Sequence, residues 1–165
     1  ATSSAPGTAW NTDLSFDTTG WAYAVVNDNW GGIDGIWHPD LVADSGYSWG
    51  QQVWFRQMID LPASFGSVTL NAWADDDSQV YINGHNVIDD TNEEFTSYAP
   101  IDIRSYLHAG QNLIAVVATD TYCCGRAFAA QIDVAAVPEP ETYALMMAGL
   151  GLLGAVARRR KTRQQ

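Results

Sequence analysis

Lysine is nearly missing from this chain of 165 residues, and arginine is scarce before its last eight positions. Residues 1–137 contain no lysine, three arginines and seventeen acidic residues, which gives a formal charge of −14. A surface this acidic is repelled by phosphate backbones, so the composition disfavours nucleic-acid binding. The same charge keeps a protein soluble and attracts cations.

Histidine is also rare, and its three positions are far apart: His38, His85 and His108. None has metal-ligand spacing to another histidine or to a cysteine. The chain shows no nucleophile elbow, and no two of its many acids stand out as a glycosidase pair. The sequence therefore favours a role that is not enzymatic.

Only two cysteines are present, and they are adjacent at Cys123 and Cys124. Neighbouring Cα atoms are about 3.8 Å apart, below the usual range for a disulfide, so a bond between these two needs a strained ring. Gly125 follows and could allow that ring. The alternatives are a disulfide to another chain, which would cross-link a polymer, and two free thiols.

Residues 1–136 also lack long apolar runs, and short strand-like segments alternate there with turn residues. We predict strands at 52–61, 68–74, 79–82, 87–88, 113–118 and 128–134, with weaker candidates at 14–16 and 21–26. Asn83-Gly84 predicts a hairpin turn, 103–108 a helical turn, and 27–50 a long ordered loop. This pattern is typical of an antiparallel β-sandwich.

Three stretches of the body resemble the galactose-binding-like β-sandwich: residues 54–62, 74–84 and 106–116. They match a strand ending in Leu-Pro, an Asp-rich turn before a V-Y-x-N-G hairpin, and a G-x-N-x-I-x-V strand. The resemblance implies an all-β, antiparallel jelly-roll sandwich over residues 1–136, followed by a C-terminal hydrophobic helix. It does not by itself imply a function.

The C-terminal tail has three parts in a fixed order. Residues 137–142 form a linker with Pro138, Glu139 and Pro140. Residues 143–157 are uncharged and apolar, and as a helix they would measure about 22 Å, short of the roughly 30 Å of a bilayer core. Residues 158–165 are basic and include Arg158, Arg159 and Arg160, which would stay in the cytoplasm.

This order resembles the PEP-CTERM sorting signal. The resemblance implies export in a Gram-negative bacterium, transient anchoring in the inner membrane, and cleavage near the motif by an exosortase-type peptidase. The finished protein would then be secreted or held at the outer cell surface. The alternative is an ordinary single-span anchor, which also leaves the body outside. The small, polar residues at 1–5 are typical of a chain whose signal peptide has been removed.

Tryptophan is abundant between residues 30 and 49. Aromatic faces stack on the C–H surfaces of sugars, and the same region is rich in Asp and Asn, whose side chains bond hydroxyl groups. The candidate carbohydrate-binding residues are Trp30, Trp37, Trp49 and Tyr122. The alternative is that these tryptophans close the open end of the sandwich and cover its core.

Asp75, Asp76 and Asp77 crowd three carboxylates into one turn. Calcium accepts oxygen ligands from flexible loops, so the three residues are candidate calcium ligands. The alternative is that their side chains close the turn by bonding the backbone. The sequence indicates no other cofactor.

The leading hypothesis is an exported, non-enzymatic surface or matrix protein that associates with extracellular polysaccharide. The second hypothesis is a structural subunit that self-associates into a surface filament or layer, which would make it a homo-oligomer joined through aromatic residues and Cys123-Cys124.

Overall fold

The computed structural model describes residues 1–42, 50–121, 125–137, 143 and 145–153. The chain divides into two compact units, Ala1–Ala135 and Ala136–Gln165. In the second unit the described residues 145–153 are helical. Within the described ranges we find no helix with the length and apolar character needed to cross a membrane. The subdivision of the tail at 137–142, 143–157 and 158–165 stays a prediction.

The first unit is a sandwich of antiparallel sheets. Its strands are β1 (Val25–Trp30), β2 (Ile33–Trp37), β3 (Gln51–Leu61), β4 (Val68–Asp75), β5 (Asp77–Ile82), β6 (His85–Asp90), β7 (Thr96–Ser97), β8 (Ile101–Asp102), β9 (Gly110–Asp120) and β10 (Ala127–Val134). One sheet has the order β3-β9-β5-β6. The other has the order β1-β2-β10-β4-β7, and β8 also pairs with β4. A helical turn, α1 (Pro39–Val42), follows β2.

Successive side chains of β4 face the hydrophobic core and the outer surface of the sheet in turn. Val68, Leu70, Ala72 and Ala74 belong to the main hydrophobic cluster between the sheets. The intervening residues, including Asn71 and Trp73, therefore point to the outer face, because side chains alternate along a strand. The predicted strand at 68–74 is confirmed, and its period-two pattern correctly separates the two faces.

Strand β9 is central in the four-stranded sheet, between β3 and β5. Its residues Leu113 to Val117 are mostly buried, as expected for an apolar run covered on both faces. The predicted Asn83-Gly84 hairpin is also confirmed, with φ of 49° and 84° at its two residues. The helical turn expected at 103–108 is a 3₁₀ turn at Arg104–Tyr106.

The asparagine of the G-x-N pattern has a structural role. Asn112 is fully buried and donates to the carbonyl oxygens of His108, at 2.7 Å, and Gly110, at 2.9 Å. Its own oxygen accepts from the His108 amide and from Asn83. Because every polar atom of the side chain has a partner, the burial of Asn112 is compensated. The motif joins the Asn83-Gly84 hairpin to the start of β9.

The long loop predicted at 27–50 is wrong over its first half. Residues 25–37 form the β1–β2 hairpin, and β2 pairs with β10 through Ile36 and Phe128. The candidate strand at 14–16 is absent, and only Val25 and Val26 of the segment 21–26 are extended in β1. The first twenty-four residues run along the sandwich instead and are tied to β3 at Thr2 and Trp54.

Candidate functional site

The tight turn between β1 and β2 presents Trp30 at the surface. Gly31 and Gly32 occupy the turn with φ of 62° and 82°, a conformation that favours glycine at both positions. Trp30, which pairs with Ile33 across the turn, is 50% exposed. A two-residue glycine turn thus holds a large aromatic ring at the edge of the six-stranded sheet.

Trp73 lies on the outer face of β4, where its ring is buried beneath neighbouring side chains. It is 1% exposed, and its indole nitrogen donates to the Ile33 carbonyl at 3.2 Å. Phe95, which is 42% exposed, has its ring centroid 5.2 Å from Trp30 and 5.9 Å from Trp73. Three rings from distant parts of the sequence therefore lie in series, at spacings typical of aromatic pairs.

A cleft of about 270 Å³ opens beside these rings, and we call it the aromatic cleft. Its side-chain walls are Trp30, Ile33, Asn71, Trp73, Ser97 and Gln131. Ligand pockets typically combine apolar and aromatic walls with a few polar groups, so this lining is compatible with a ligand that has both kinds of surface. The cleft lies on the outer face of the six-stranded sheet.

The two amides of the aromatic cleft share one carboxylate. Asn71 and Gln131 are direct partners across β4 and β10. Asp133 accepts a hydrogen bond from Asn71 at 2.8 Å and another from Gln131 at 2.9 Å. An ionised carboxylate has no hydrogen to donate and acts only as an acceptor. Both amides must therefore turn their NH₂ groups towards Asp133. Their orientation is thereby fixed.

The Asp75-Asp76-Asp77 turn lies between β4 and β5. Asp76 accepts from the backbone of Thr121 at 2.8 Å, and Asp77 accepts from the backbone of Glu93 at 2.8 Å. Partial burial, followed by the negative charge of Asp76, raises the pKa of Asp75 to about 6. Among the described residues no group of three or more His, Cys, Asp or Glu is arranged to hold a metal ion. The contacts favour turn closure, and calcium binding stays a prediction.

Asp120 provides the fourth carboxylate of this region and pairs with Arg126 at 3.5 Å. Burial raises the pKa of Asp120, and the nearby Arg126 opposes that shift. Arg126 also donates to Gln51 at 2.8 Å, so it links the start of β3 to the end of β9. The acidic turn is therefore held by backbone and arginine contacts.

The structure separates the predicted carbohydrate-binding residues. Trp30 lies in the aromatic cleft, but Trp37 is a correction: it is fully buried in the hydrophobic core, where its ring packs 6.2 Å from that of Phe55. A ring without exposed surface cannot stack on a sugar, so Trp37 fills the core as the alternative interpretation expected. Trp49, Tyr122, Cys123, Cys124, Pro138, Glu139, Pro140, Arg158, Arg159 and Arg160 lie outside the described residues.

Sequence reasoning missed most of the aromatic cleft. The sequence does contain a pattern that points to Trp73 and Asn71, because the period-two alternation of β4 places an indole and an amide together on its outer face. No sequence pattern points to Phe95, because it lies outside any strand and is brought beside Trp30 and Trp73 only by the pairing of β7 with β4.

A second and larger cavity of about 700 Å³ opens between the two sheets beside residues 18–24. Its walls are mainly the inward-facing apolar residues of the sandwich, including Ile59, Val116 and Ile132. Its aromatic neighbour Tyr23 is 96% exposed. Its stacked ring pair, Phe55 and Phe128, is only 7% and 3% exposed. Among the described residues of its walls no carboxylate holds two amides as Asp133 does beside the aromatic cleft, so we base the functional argument on the smaller cleft.

Comparison with known families identifies the tail. Residues 136–161 match the PEP-CTERM protein-sorting motif. This match supports an exported protein that is sorted to the surface, and the motif implies processing by an exosortase. The expectation drawn from the tail is confirmed to that extent.

Solved structures with a similar fold include two glycosidases. An α-L-rhamnosidase from Streptomyces avermitilis, complexed with L-rhamnose, is 24% identical with a TM-score of 0.53 over 81% of this chain. A glycosyl hydrolase family 2 member from Bacteroides cellulosilyticus is 16% identical with a TM-score of 0.49 over 78% of the chain. The chain spans only 12% and 19% of those proteins. The first likeness supports the galactose-binding-like sandwich as a fold. A comparison with curated proteins finds no match.

Proposed function

We propose that this protein is a polysaccharide-binding surface protein, which is sorted through its tail and binds glycan in the aromatic cleft. The observation that carries the proposal is the exposed ring pair Trp30 and Phe95, which packs on the buried Trp73 beside the paired amides Asn71 and Gln131. Rings supply faces for the C–H surfaces of sugars, and the amides supply hydrogen bonds for hydroxyl groups. Both kinds of group are present within one open cleft.

The test is binding to polysaccharide isolated from the native bacterium, compared between the protein and its Trp30→Ala variant. We expect Trp30→Ala to weaken binding about tenfold or more, because an aromatic anchor at a binding surface commonly contributes at least 1.4 kcal/mol. Tyr23→Ala is the matched control, since it removes a more exposed ring that does not line the cleft. Equal binding by the protein and Trp30→Ala would contradict the proposal.

We also propose that the role is binding and not catalysis. The polar residues that line the cleft are two amides, a serine and a tyrosine, and Asp133 orients the amides from beside them, which suits recognition. The protein should release no reducing sugar from any polysaccharide that it binds. Steady release of reducing ends, abolished by Asp133→Asn, would instead identify a glycosidase.

The same proposal places the finished protein outside the cell without its apolar tail. Cleavage near Pro138 would remove the helix-forming residues and the basic end, leaving the acidic body. Intact mass of the protein from its native cells should match a chain that ends near residue 138. A mass that includes residues 143–165 would support the single-span anchor.

The self-assembling subunit remains the second hypothesis. The two cysteines that would form disulfides between chains, Cys123 and Cys124, lie outside the described residues. Non-reducing gels that show a ladder, collapsed by reductant, would support it.

A further inference from the structure

The polar groups of the aromatic cleft are mainly hydrogen-bond acceptors. Asn71 and Gln131 each donate one N–H to Asp133, which leaves each side chain one further N–H and a carbonyl oxygen that can accept two hydrogen bonds. The indole N–H of Trp73 is already committed to the Ile33 carbonyl. A ligand therefore meets amide oxygens here, with the carboxylate of Asp133 in contact with both amides, and a ligand that brings its own donors is favoured.

Positive charge is kept away from the cleft. Arg56 donates to the carbonyl oxygens of Trp10 and Asp13, Arg104 lies 3.8 Å from the centre of the Phe65 ring, and Arg126 pairs with Asp120. No lysine or arginine is found among the described residues that line the cleft. These three are the only arginines of positions 1–137, which contain no lysine, so neither residue type offsets the acids around the cleft.

Negative charge, in contrast, is next to the amides of the cleft. Asp133 accepts a hydrogen bond from each of them. The faces of Trp30 and Phe95 are themselves attractive to cations, because an aromatic ring carries negative charge density on its face. Rings, carboxylates and the −14 charge of the body all favour a cationic ligand.

We propose that the aromatic cleft selects a polysaccharide that bears free amino groups, such as a polymer of unacetylated amino sugars, over N-acetylated or uronic-acid polymers. The inference rests on the proposed function. The protonated amine would lie against the ring faces and the amide oxygens, where the nearby charge of Asp133 favours it, and the sugar hydroxyls would donate to Asn71 and Gln131. A sugar is favoured over a basic peptide because the amide oxygens match a row of hydroxyl donors as well as a charge.

The experiment is calorimetric titration of the full chain with four length-matched probes: hexamers of glucosamine, N-acetylglucosamine, galacturonic acid and lysine. At low salt and a pH at which the amine is protonated, we expect the glucosamine hexamer to bind about tenfold more tightly than the N-acetyl hexamer. The galacturonate hexamer should be the weakest. Added salt should reduce the preference, since exposed charges are screened.

Two charge-matched variants locate the effect. Asp133→Asn keeps the size of the side chain and should remove most of the preference for glucosamine. Asp60→Asn removes one acid from β3 of the other sheet and should leave the preference intact. Equal losses in the two variants would mean a general charge effect and would overturn the inference.

The remaining outcomes are also decisive. Tight binding of the N-acetyl, galacturonate or lysine hexamer would overturn the amino-sugar assignment. The proposed function would still stand in that case if binding to native polysaccharide depends on Trp30. If Trp30→Ala binds every glycan as well as the unchanged protein does, the proposed function itself fails.

Discussion

At the scale of single residues, Gly35 determines whether the aromatic cleft can form. A Cβ atom added there would lie 2.7 Å from Cζ2 of Trp73 and 2.8 Å from the Ala127 side chain, and would also meet Cη2 of the same indole. These distances are far inside van der Waals contact, and the indole is rigid and buried. Trp73 can therefore take its position only because β2 has no side chain at residue 35.

Gly35→Ala should therefore destabilise the protein by about 1–3 kcal/mol through overpacking, and should also weaken glycan binding by displacing Trp73. Urea unfolding measures the first effect and titration with native polysaccharide the second. Gly7→Ala is the matched control, because an added Cβ at that residue meets nothing within 4 Å. Equal stability of Gly35→Ala and Gly7→Ala would show that Trp73 is not held where we describe it.

At the scale of elements, the turn between β4 and β5 concentrates acids that cannot all ionise without cost. The pKa of Asp75 is raised to about 6 by burial first, then by Asp76, Asp28 and Asp120. The folded state therefore holds a proton on Asp75 that the unfolded chain, with a value near 3.8, releases earlier. Stability from this group is fully present below about pH 3.8 and is lost as pH rises through about 6.

Asp75→Asn should flatten this decline in the free energy of unfolding and raise stability at neutral pH. The pKa of Asp120 is also raised, so the free energy of unfolding of Asp75→Asn should still fall as pH rises, but with a smaller slope. Urea unfolding across this pH range, with Asp60→Asn as the control, measures the effect. A steeper decline in Asp75→Asn than in the unchanged protein would contradict the sign.

The elements also show where sequence patterns succeed. Strand β4 was predictable because one of its faces is buried, so apolar and polar residues alternate along it. Strand β9 was predictable because both of its faces are buried, so its residues form a continuous apolar run. Strand β1 was not predictable, because all six of its residues are exposed and Asn27, Asp28 and Asn29 are poor strand formers. Its extended form depends on pairing with β2, which is a tertiary effect.

At the scale of the whole molecule, the sequence identified the sandwich and the sorting tail but only one member of the cleft. Trp30 and Trp37 look alike in sequence, yet one is half exposed and the other is in the core. The difference is set by tertiary packing, since Trp37 packs against Phe55 in the core whereas Trp30 lies at the two-glycine turn, and no local pattern encodes that. Phe95 joins the cleft through β7, from a segment that has no periodicity.

The central claim is that polysaccharide binds at the aromatic cleft. The most direct measurement is a set of NMR spectra of the protein recorded during titration with polysaccharide from its native bacterium. We expect shifts of the Trp30 indole N–H and of the side-chain amides of Asn71 and Gln131, with little change at Tyr23. Binding that shifts Tyr23 and its neighbours while these three groups stay unchanged would contradict the account.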